Sequence, residues 1–297
     1  MTKTEDEAIR ILAPAKLNLY LEVLGKRPDG YHEIETVMQT ITLCDELTFS
    51  PTDGPIDLTC DHPVLSADSD NLVLRAAELL KKSTASQTGV HMNLVKRIPI
   101  GAGLGGGSSD AASTLLALNR LWNTNLSQPA LTELAGQLGA DVPFFLVGGT
   151  ALCRGCGERV SPVLGVSRTH YVLVCPGVEV STRRVYENVP SDLTSVPFGT
   201  KVFLQDLTRR QRGGGRMRLF NRLEEITLRV YPQLRRVADL MRKAGCEQVG
   251  MTGSGSAFFA ACASRKEADL VADRLTNEDI GAVFEVTNNV SSSEEFG

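Results

Sequence analysis

Histidine is scarce in this chain of 297 residues, with four in all, and the four stand apart. His32-Glu33 begins like a zinc-protease helix motif, but position 36 is Thr36, so the second histidine of H-E-x-x-H is missing. Cysteine is odd in number, seven, and scattered, which suits a reducing compartment better than a disulfide framework. Cys153-Arg-Gly-Cys156 has the C-x-x-C spacing of a redox or zinc pair, but no second pair stands at zinc spacing, and ordinary thiols are the plainer reading. Long apolar runs are missing too. The longest, around Val142–Cys153, is interrupted by Gly148, Gly149 and Thr150 and falls short of the roughly 18 residues that span a bilayer. Glu5, Asp6 and Glu7 put the wrong charge near the start for a secretory signal, and no apolar core follows, so a cytoplasmic location is expected, with no membrane partner. Nor is there a basic surplus. The net charge is −4 and the pI about 5.7, which makes the chain a poor candidate for general nucleic-acid binding. A phosphate could still be held by local backbone dipoles.

About two fifths of the residues are hydrophobic, ample for a core, and the length suits one large domain or two ordinary ones. No internal repeat is visible. Alternation predicts a strand over Ile9–Val23, around Pro14. Gly25–Tyr31 is a turn cluster containing Pro28, Asp29 and Gly30. The β-branched stretch Thr36–Ser50 reads as strands. Asp70 is placed to cap a helix over Asn71–Lys82. Val90–Ile100 reads as strand, Ser108–Trp122 as a helix, and Ser127–Gly139 as a second helix with Pro129 in its first turn. Further on, Tyr171–Cys175 reads as strand, Val189–Val196 as loop, and Arg209–Arg216 as a basic, glycine-rich loop. That loop could attract anions, but a solvated surface is the plainer reading. Helices follow over Asn221–Val230 and Pro232–Lys243, the latter closing at Gly245. Ser256–Cys262 reads as strand. Ser264-x-x-Glu267 forms a capping box for a helix to Leu275, Ala282–Val286 is a last strand, and Ser291–Gly297 a disordered tail. The mixture predicts an α+β architecture in two lobes, with residues 1–162 and 163–297 as the two domains.

The most informative segment is Pro99-Ile-Gly101-Ala-Gly103-Leu-Gly105-Gly106-Gly107-Ser108-Ser109-Asp110. Five glycines in seven residues let the backbone take positive φ and come close to a ligand. The helix behind them leaves its first N–H groups unpaired, and its dipole places partial positive charge there. Backbone amides with the Ser108 and Ser109 hydroxyls are suited to grip a polyphosphate. Other readings fit less well. Gly101-x-Gly103-x-x-Gly106 formally matches a dinucleotide fingerprint, but after Asp110 no acid appears until Glu133 and helix fills the interval. Gly106-Gly107-Ser108 lacks the lysine of a Walker A loop, and protein-kinase motifs are absent. A purely structural turn remains the bland alternative, against the large backbone entropy such a run loses on folding.

Pro99–Ala112 resembles the second motif of the GHMP kinases. Pro14-Ala-Lys16-Leu-Asn18-Leu resembles the first motif of one branch of that family, and Leu138-Gly-Ala-Asp141-Val-Pro143 that branch's catalytic loop. Met251-Thr-Gly253-Ser-Gly255-Ser256 resembles the third, glycine-rich motif. Asp29-Gly-Tyr31-His32 and Asn221-Arg-Leu-Glu-Glu also fit. The resemblance runs from about Pro14 to about Ala282; each piece alone is weak, the joint pattern specific. It implies an N-terminal lobe like ribosomal protein S5 domain 2 and a ferredoxin-like C-terminal lobe. It also implies ATP and Mg2+ as cosubstrates, and a small-molecule cytidyl-diphosphate substrate phosphorylated at the 2-hydroxyl of its methylerythritol, in non-mevalonate isoprenoid biosynthesis.

Phosphoryl transfer asks a protein mainly for positioning and charge stabilisation. Asp141 is the candidate general base; a loop aspartate making a local turn bond is the alternative. Lys16 is its candidate partner, an ammonium that would keep a carboxylate ionised and favour a developing alkoxide; a snorkelling surface lysine is the alternative. Asn18 shares a strand face with Lys16 and by resemblance binds substrate. By resemblance also, Tyr31 stacks on cytosine, His32 bonds its edge, Tyr186 is a second aromatic and Thr182 a substrate contact. Tyr186 could instead be an ordinary half-buried aromatic, and Arg183-Arg184 departs from the family pattern. For ATP, the resemblance implicates Pro99, Gly101, Gly103, Leu104, Gly105, Gly106, Gly107, Ser108 and Ser109, with Asn71 and Lys96 near adenine. Gly253 and Gly255 let the third loop approach. No magnesium ligand and no oligomeric state beyond monomer or homodimer is assigned. The competing functions are a GHMP kinase for another alcohol (homoserine or mevalonate type), an NAD-dependent oxidoreductase, and a non-enzymatic ATP-binding regulator.

Overall fold

The computed structural model describes residues 8–63, 65, 70–190, 198–210 and 217–288. Two long strands come first, β1 (Ile9–Lys26) and β2 (His32–Thr52), then β3 (Ile56–Cys60), α1 (Leu72–Thr84), β4 (Gly89–Val95), α2 (Gly106–Leu121), α3 (Gln128–Leu138) and α4 (Val142–Val147). They are followed by β5 (Thr150–Gly155), β6 (Arg159–Pro162), β7 (His170–Cys175), α5 (Thr182–Glu187), α6 (Thr200–Arg210) and β8 (Phe220–Asn221). The chain closes with α7 (Arg222–Val230), a 3-10 turn at Pro232–Leu234, α8 (Arg235–Lys243), β9 (Val249–Met251), β10 (Phe258–Cys262), α9 (Arg265–Thr276) and β11 (Ala282–Thr287). Among the described residues no helix is long and apolar enough to cross a membrane.

Two compact units share the chain. One comprises Met1–Ala15, Leu43–Ile98 and Gly105–Val147, the other Lys16–Thr42, Pro99–Leu104 and Gly148–Gly297. In the first, β4 pairs antiparallel with the far end of β2 (Leu47 opposite Leu94) and parallel with β3 (Leu58 opposite Met92). Helices α1 to α4 pack on one another, burying Ala76, Leu80, Ala112, Leu115, Leu131 and Phe144. In the second, the near end of β2 pairs antiparallel with β5, β5 with β6, and β1 parallel with β8. A separate sheet runs β11-β7-β10-β9, every neighbour antiparallel. Numbered along the chain that order is 4-1-3-2, with helices between the first and second strands and after the third. This is the ferredoxin-like arrangement expected of the C-terminal part. Its core joins Val172, Val174, Phe258 and Ala260 of the sheet to Val237, Met241, Val271 and Leu275 of the helices.

Local chemistry moves several boundaries. Helix α1 is capped by Asn71, whose side chain accepts from Val73 N, and not by Asp70. Helix α2 starts at Gly106, two residues before Ser108, because Gly105 takes the cap position with φ 73° and Gly106 and Gly107 adopt helical backbone. Strand β4 stops at Val95 and does not reach Ile100, since Asp45 takes the Arg97 and Ile98 N–H groups. Asp141 follows α3 as expected but also opens α4, with Pro143 in its first turn. Strands β3, β5 and β6 and helix α6, which carries Arg209 and Arg210 at its end, were not anticipated. The remainder of the Arg209–Arg216 loop, most of Val189–Val196 and the tail Ser291–Gly297 lie outside the described residues.

Candidate active site

In the second unit the site is built on β1. Between Ala15 and Val23 the strand is buried on both faces. One face is apolar; the other carries Lys16, Asn18, Tyr20 and Glu22, none more than 5% exposed. Polar groups taken out of water need partners, and each has one. Lys16 Nζ donates to Asn18 Oδ1, and Lys16 N to Leu104 O at 2.9 Å. Asn18 Nδ2 donates to Thr36 Oγ1 at 2.9 Å, and that hydroxyl donates to Tyr20 O at 2.6 Å. Asn18 N donates to Thr252 Oγ1 at 3.1 Å. Glu22 accepts two bonds from Arg222, at 2.8 and 3.0 Å. A core needs no such polar face, whereas a site that must hold an ammonium in a fixed place does.

Two glycine runs meet beside this face. Gly101, Gly103 and Gly105 have φ of 66°, 78° and 73°, a region that side chains rarely tolerate. A Cβ at Gly103 would stand 2.3 Å from Thr252 O and 3.0 Å from Gly255 O, so backbone packs directly on backbone. Ala257 N donates to Ala102 O at 3.1 Å, and Thr252 Oγ1 lies 3.2 Å from both Gly103 O and Asn18 Oδ1, with one proton to give them. Gly253 makes room in turn for Lys16, whose Nζ would be 3.2 Å from a Cβ there.

The aromatic residues expected at a base slot also lie in this unit. Arg27 N donates to Tyr31 O and Tyr31 N to Asp29 Oδ1, closing a turn that presents the Tyr31 ring 66% exposed. His32 and Tyr186 stack at 5.1 Å between ring centroids, tilted by 36°. Burial, with a smaller contribution from Lys26, lowers the His32 pKa below its ordinary value and favours the neutral ring. Thr182 Oγ1 is 2.8 Å from Ser254 Oγ of the third loop. Arg183 and Arg184, which depart from the family pattern, are engaged on Glu187 and the Tyr231 ring.

The first unit holds the other residues. At the start of α2 no side chain caps the helix, which leaves its N-terminal field to an external anion. Gly107 is exposed and Ser108 half-buried, while Ser109 Oγ and Asp110 Oδ1 are buried with no hydrogen-bond partner. Lys96 Nζ, its side chain 4% exposed, donates to Asp45 and, at 2.7 Å, to Asp110 Oδ2. Asp45 Oδ1 accepts from Arg97 N and Ile98 N. Burial opposes the charge on Lys96, but Asp110 and Asp45 outweigh it and raise its pKa. Burial pushes the Asp110 carboxyl up to about 7, against the pull of Lys96. Asn71 and Lys96, expected beside adenine, thus each carry a structural bond of their own. Asp141 is half-buried at the joint between α3 and α4, where Val142 N donates to Gly139 O. Sequence reading missed Thr36, Asp45 and Asp110. Asp45 gave no distinct signal, since its strand also carries Glu33, Glu35 and, next to it, Glu46.

The GHMP kinases N terminal domain family matches residues 71–149 and the GHMP kinases C terminal family residues 204–280. A 4-diphosphocytidyl-2-C-methyl-D-erythritol kinase of Pelotomaculum thermopropionicum is 43% identical over 91% of this chain and 95% of its own length. A crystal structure of 4-(cytidine 5'-diphospho)-2C-methyl-D-erythritol kinase superposes with a TM-score of 0.81 at 38% identity, covering 95% of this chain and all of that one. A homoserine kinase from Cytophaga hutchinsonii, at 18% identity and TM-score 0.70 over 98% of this chain and 97% of its own, shares the fold alone. The chain therefore has the α+β fold of the GHMP kinases and belongs to that family, within its branch of 4-diphosphocytidyl-2-C-methyl-D-erythritol kinases.

Proposed function

We propose that this enzyme transfers the terminal phosphoryl group of ATP to the 2-hydroxyl of 4-diphosphocytidyl-2-C-methyl-D-erythritol, giving the 2-phosphate and ADP in non-mevalonate isoprenoid biosynthesis. The observation that carries the chemistry is the buried polar face of β1, where Lys16 is held by Asn18 and against Gly253. A fixed ammonium in a site screened from water stabilises charge developing on the attacking oxygen. Asp141 accepts the hydroxyl proton. The amides from Gly101 to Ser109, with Pro99 and Leu104 shaping the turn, bind the ATP phosphates. Asn71 and Lys96 border the adenine. Tyr31 and Tyr186 offer flat faces for cytosine and neutral His32 reads its edge. Asn18 and Thr182 bind the remainder of the substrate.

Magnesium fits this arrangement. Ser109 Oγ and Asp110 Oδ1 are buried oxygen donors with unused lone pairs, the hard ligands such an ion prefers. Among the described residues no group of three or more His, Cys, Asp or Glu side chains forms a cage, as suits an ion resting largely on waters and phosphates. When bound, it would neutralise phosphate charge. The ATP-binding part is assigned to residues 1–162 and the substrate-side part to 163–297, a division supported by family matches falling on either side of it. A cytoplasmic location and a monomeric or homodimeric state complete the reading.

The test is ADP release with ATP and Mg2+ in the presence of the cytidylated substrate, homoserine or mevalonate, beside NADH titration. ADP release stimulated by the cytidylated substrate alone is expected. Equal turnover of a cytidine-free alcohol would overturn the substrate assignment, and absence of any turnover would return the chain to a non-enzymatic ATP binder.

A further inference from the structure

Helix α7 holds the third glycine run by its backbone. Asn221, Glu224 and Thr227 recur every third residue and so line one face of the helix start. Asn221 Nδ2 donates to Met251 O at 2.7 Å and Gly253 O at 2.8 Å, while its Oδ1 caps α7 by accepting from Leu223 N. Glu224 Oε2 accepts from Met251 N at 3.0 Å. Thr227, fully buried, donates to Ser254 O at 3.0 Å, and its methyl would stand 3.4 Å from a Cβ at Gly255. The backbone of Asn221 is also paired with Leu21 of β1, the strand that carries Lys16 and Asn18. One residue therefore ties the lysine strand to the loop.

The loop so held sets two other groups. Thr252 is bonded to Asn18 and to Gly103, and Gly253 faces the Lys16 ammonium. A loop with two glycines at positive φ, Gly253 at 57° and Gly255 at 90°, has little conformational preference of its own. Two internal bonds, Thr252 N to Ala257 O and Gly255 N to Thr252 O, close the turn, and α7 with its cap residue Asn221 supplies four more from outside it.

We propose that Asn221, Glu224 and Thr227 are positioning residues for phosphoryl transfer, which act by fixing residues 251–255 so that Lys16, Asn18 and Gly103 are held in working geometry. This rests on the kinase reading above. None of the three needs to touch a substrate.

The test pairs conservative variants. Asn221→Asp keeps the acceptor that caps α7 but loses both donated bonds. Thr227→Val keeps shape and loses the hydroxyl, and Thr227→Ser restores the hydroxyl. Asn221→Asp and Thr227→Val are expected to lower kcat by about tenfold or more, the scale of one or two lost hydrogen bonds expressed in the transition state. KM for ATP and for the cytidylated substrate should stay within about threefold and Tm within a few degrees, and Thr227→Ser should recover most of the rate. Hydrogen exchange of the amides of residues 251–256 should accelerate in the two damaging variants, with little change elsewhere. Wild-type kcat in both variants, or unchanged exchange at the loop, would overturn the proposal; so would a loss of rate that only follows the loss of Tm. If the wild type itself fails to phosphorylate the cytidylated substrate, the proposed function fails, and loop exchange alone then decides the role of α7.

Discussion

Asp45 is wholly buried, and its carboxylate takes the N–H groups of Arg97 and Ile98 together with the Lys96 ammonium. Replacing it by alanine leaves a buried cation with Asp110 alone and two backbone donors unpaired. Breaking a buried pair in this way costs about 3–5 kcal/mol, so Asp45→Ala is expected to lower the urea midpoint sharply; a change under about 1 kcal/mol would show that the cluster does not hold the exit of β4. His32 gives a prediction with a sign. Its pKa lies below the ordinary 6.5, so between that lowered value and 6.5 the unfolded chain binds more protons and folding strengthens as pH rises. The neutral ring persists through that same window. KM for the cytidylated substrate should be flat from about pH 8 through 6.5 and rise only as pH falls to the lowered value, with no such rise in His32→Asn. An inflection above 6.5 would contradict the lowered value. That Lys16 and Asn18 share a face was legible in the sequence, because residues two apart on a strand point the same way; the roles proposed for them came from the family resemblance. Asp45 was not legible, since its partner Lys96 lies 51 positions away and only the folded sheet brings it near.

At the level of elements, the glycine turn into α2 was legible because glycine density is itself a local signal. The start of α2 was not, since Gly106 and Gly107 can enter a helix as readily as a loop. Helix α6 escaped notice beside a basic run, although Phe203 and Leu207, one turn apart, are its buried stripe. The capping box at α9 formed in a variant form. Ser264 Oγ accepts from Glu267 N as expected, but the Glu267 carboxylate reaches back to Ala263 N. The contact between the two glycine runs yields a direct test. Gly103→Ala must push its methyl against Thr252 O, 2.3 Å away, at a φ of 78°. Turnover is expected to fall by about tenfold or more. Gly149→Ala serves as the control: its φ is 63° but nothing lies within 4 Å of the added carbon, so it should cost about 1 kcal/mol of stability and leave kcat unchanged. Equal effects of the two on kcat would show that strain, and not the contact between loops, is responsible.

Over the whole molecule, a two-lobed α+β fold was legible from the mixture of elements and a kinase from the joint motif pattern, but the way the chain is shared between compact units was not. Hydrophobic pattern reports which residues are buried and is silent about their partners. Residues 16–42 belong with segments far downstream: Tyr20 pairs with Phe220, Gln39 accepts from Tyr171 and Thr42 from Thr287. A fragment of residues 1–162 would strand them. It is expected to show no cooperative melt by circular dichroism, and a transition at the full-length Tm would contradict the interleaving.

That sharing has a consequence for synthesis. Asn18 is made well before its partner: Thr252, which its backbone N–H requires, follows 234 residues later. Until then an early strand with a lysine on its inner side must wait on the ribosome with half its neighbours still untranslated. Premature termination anywhere before the third glycine run should therefore yield no partial catalyst, only a chain whose polar strand has nowhere to dock.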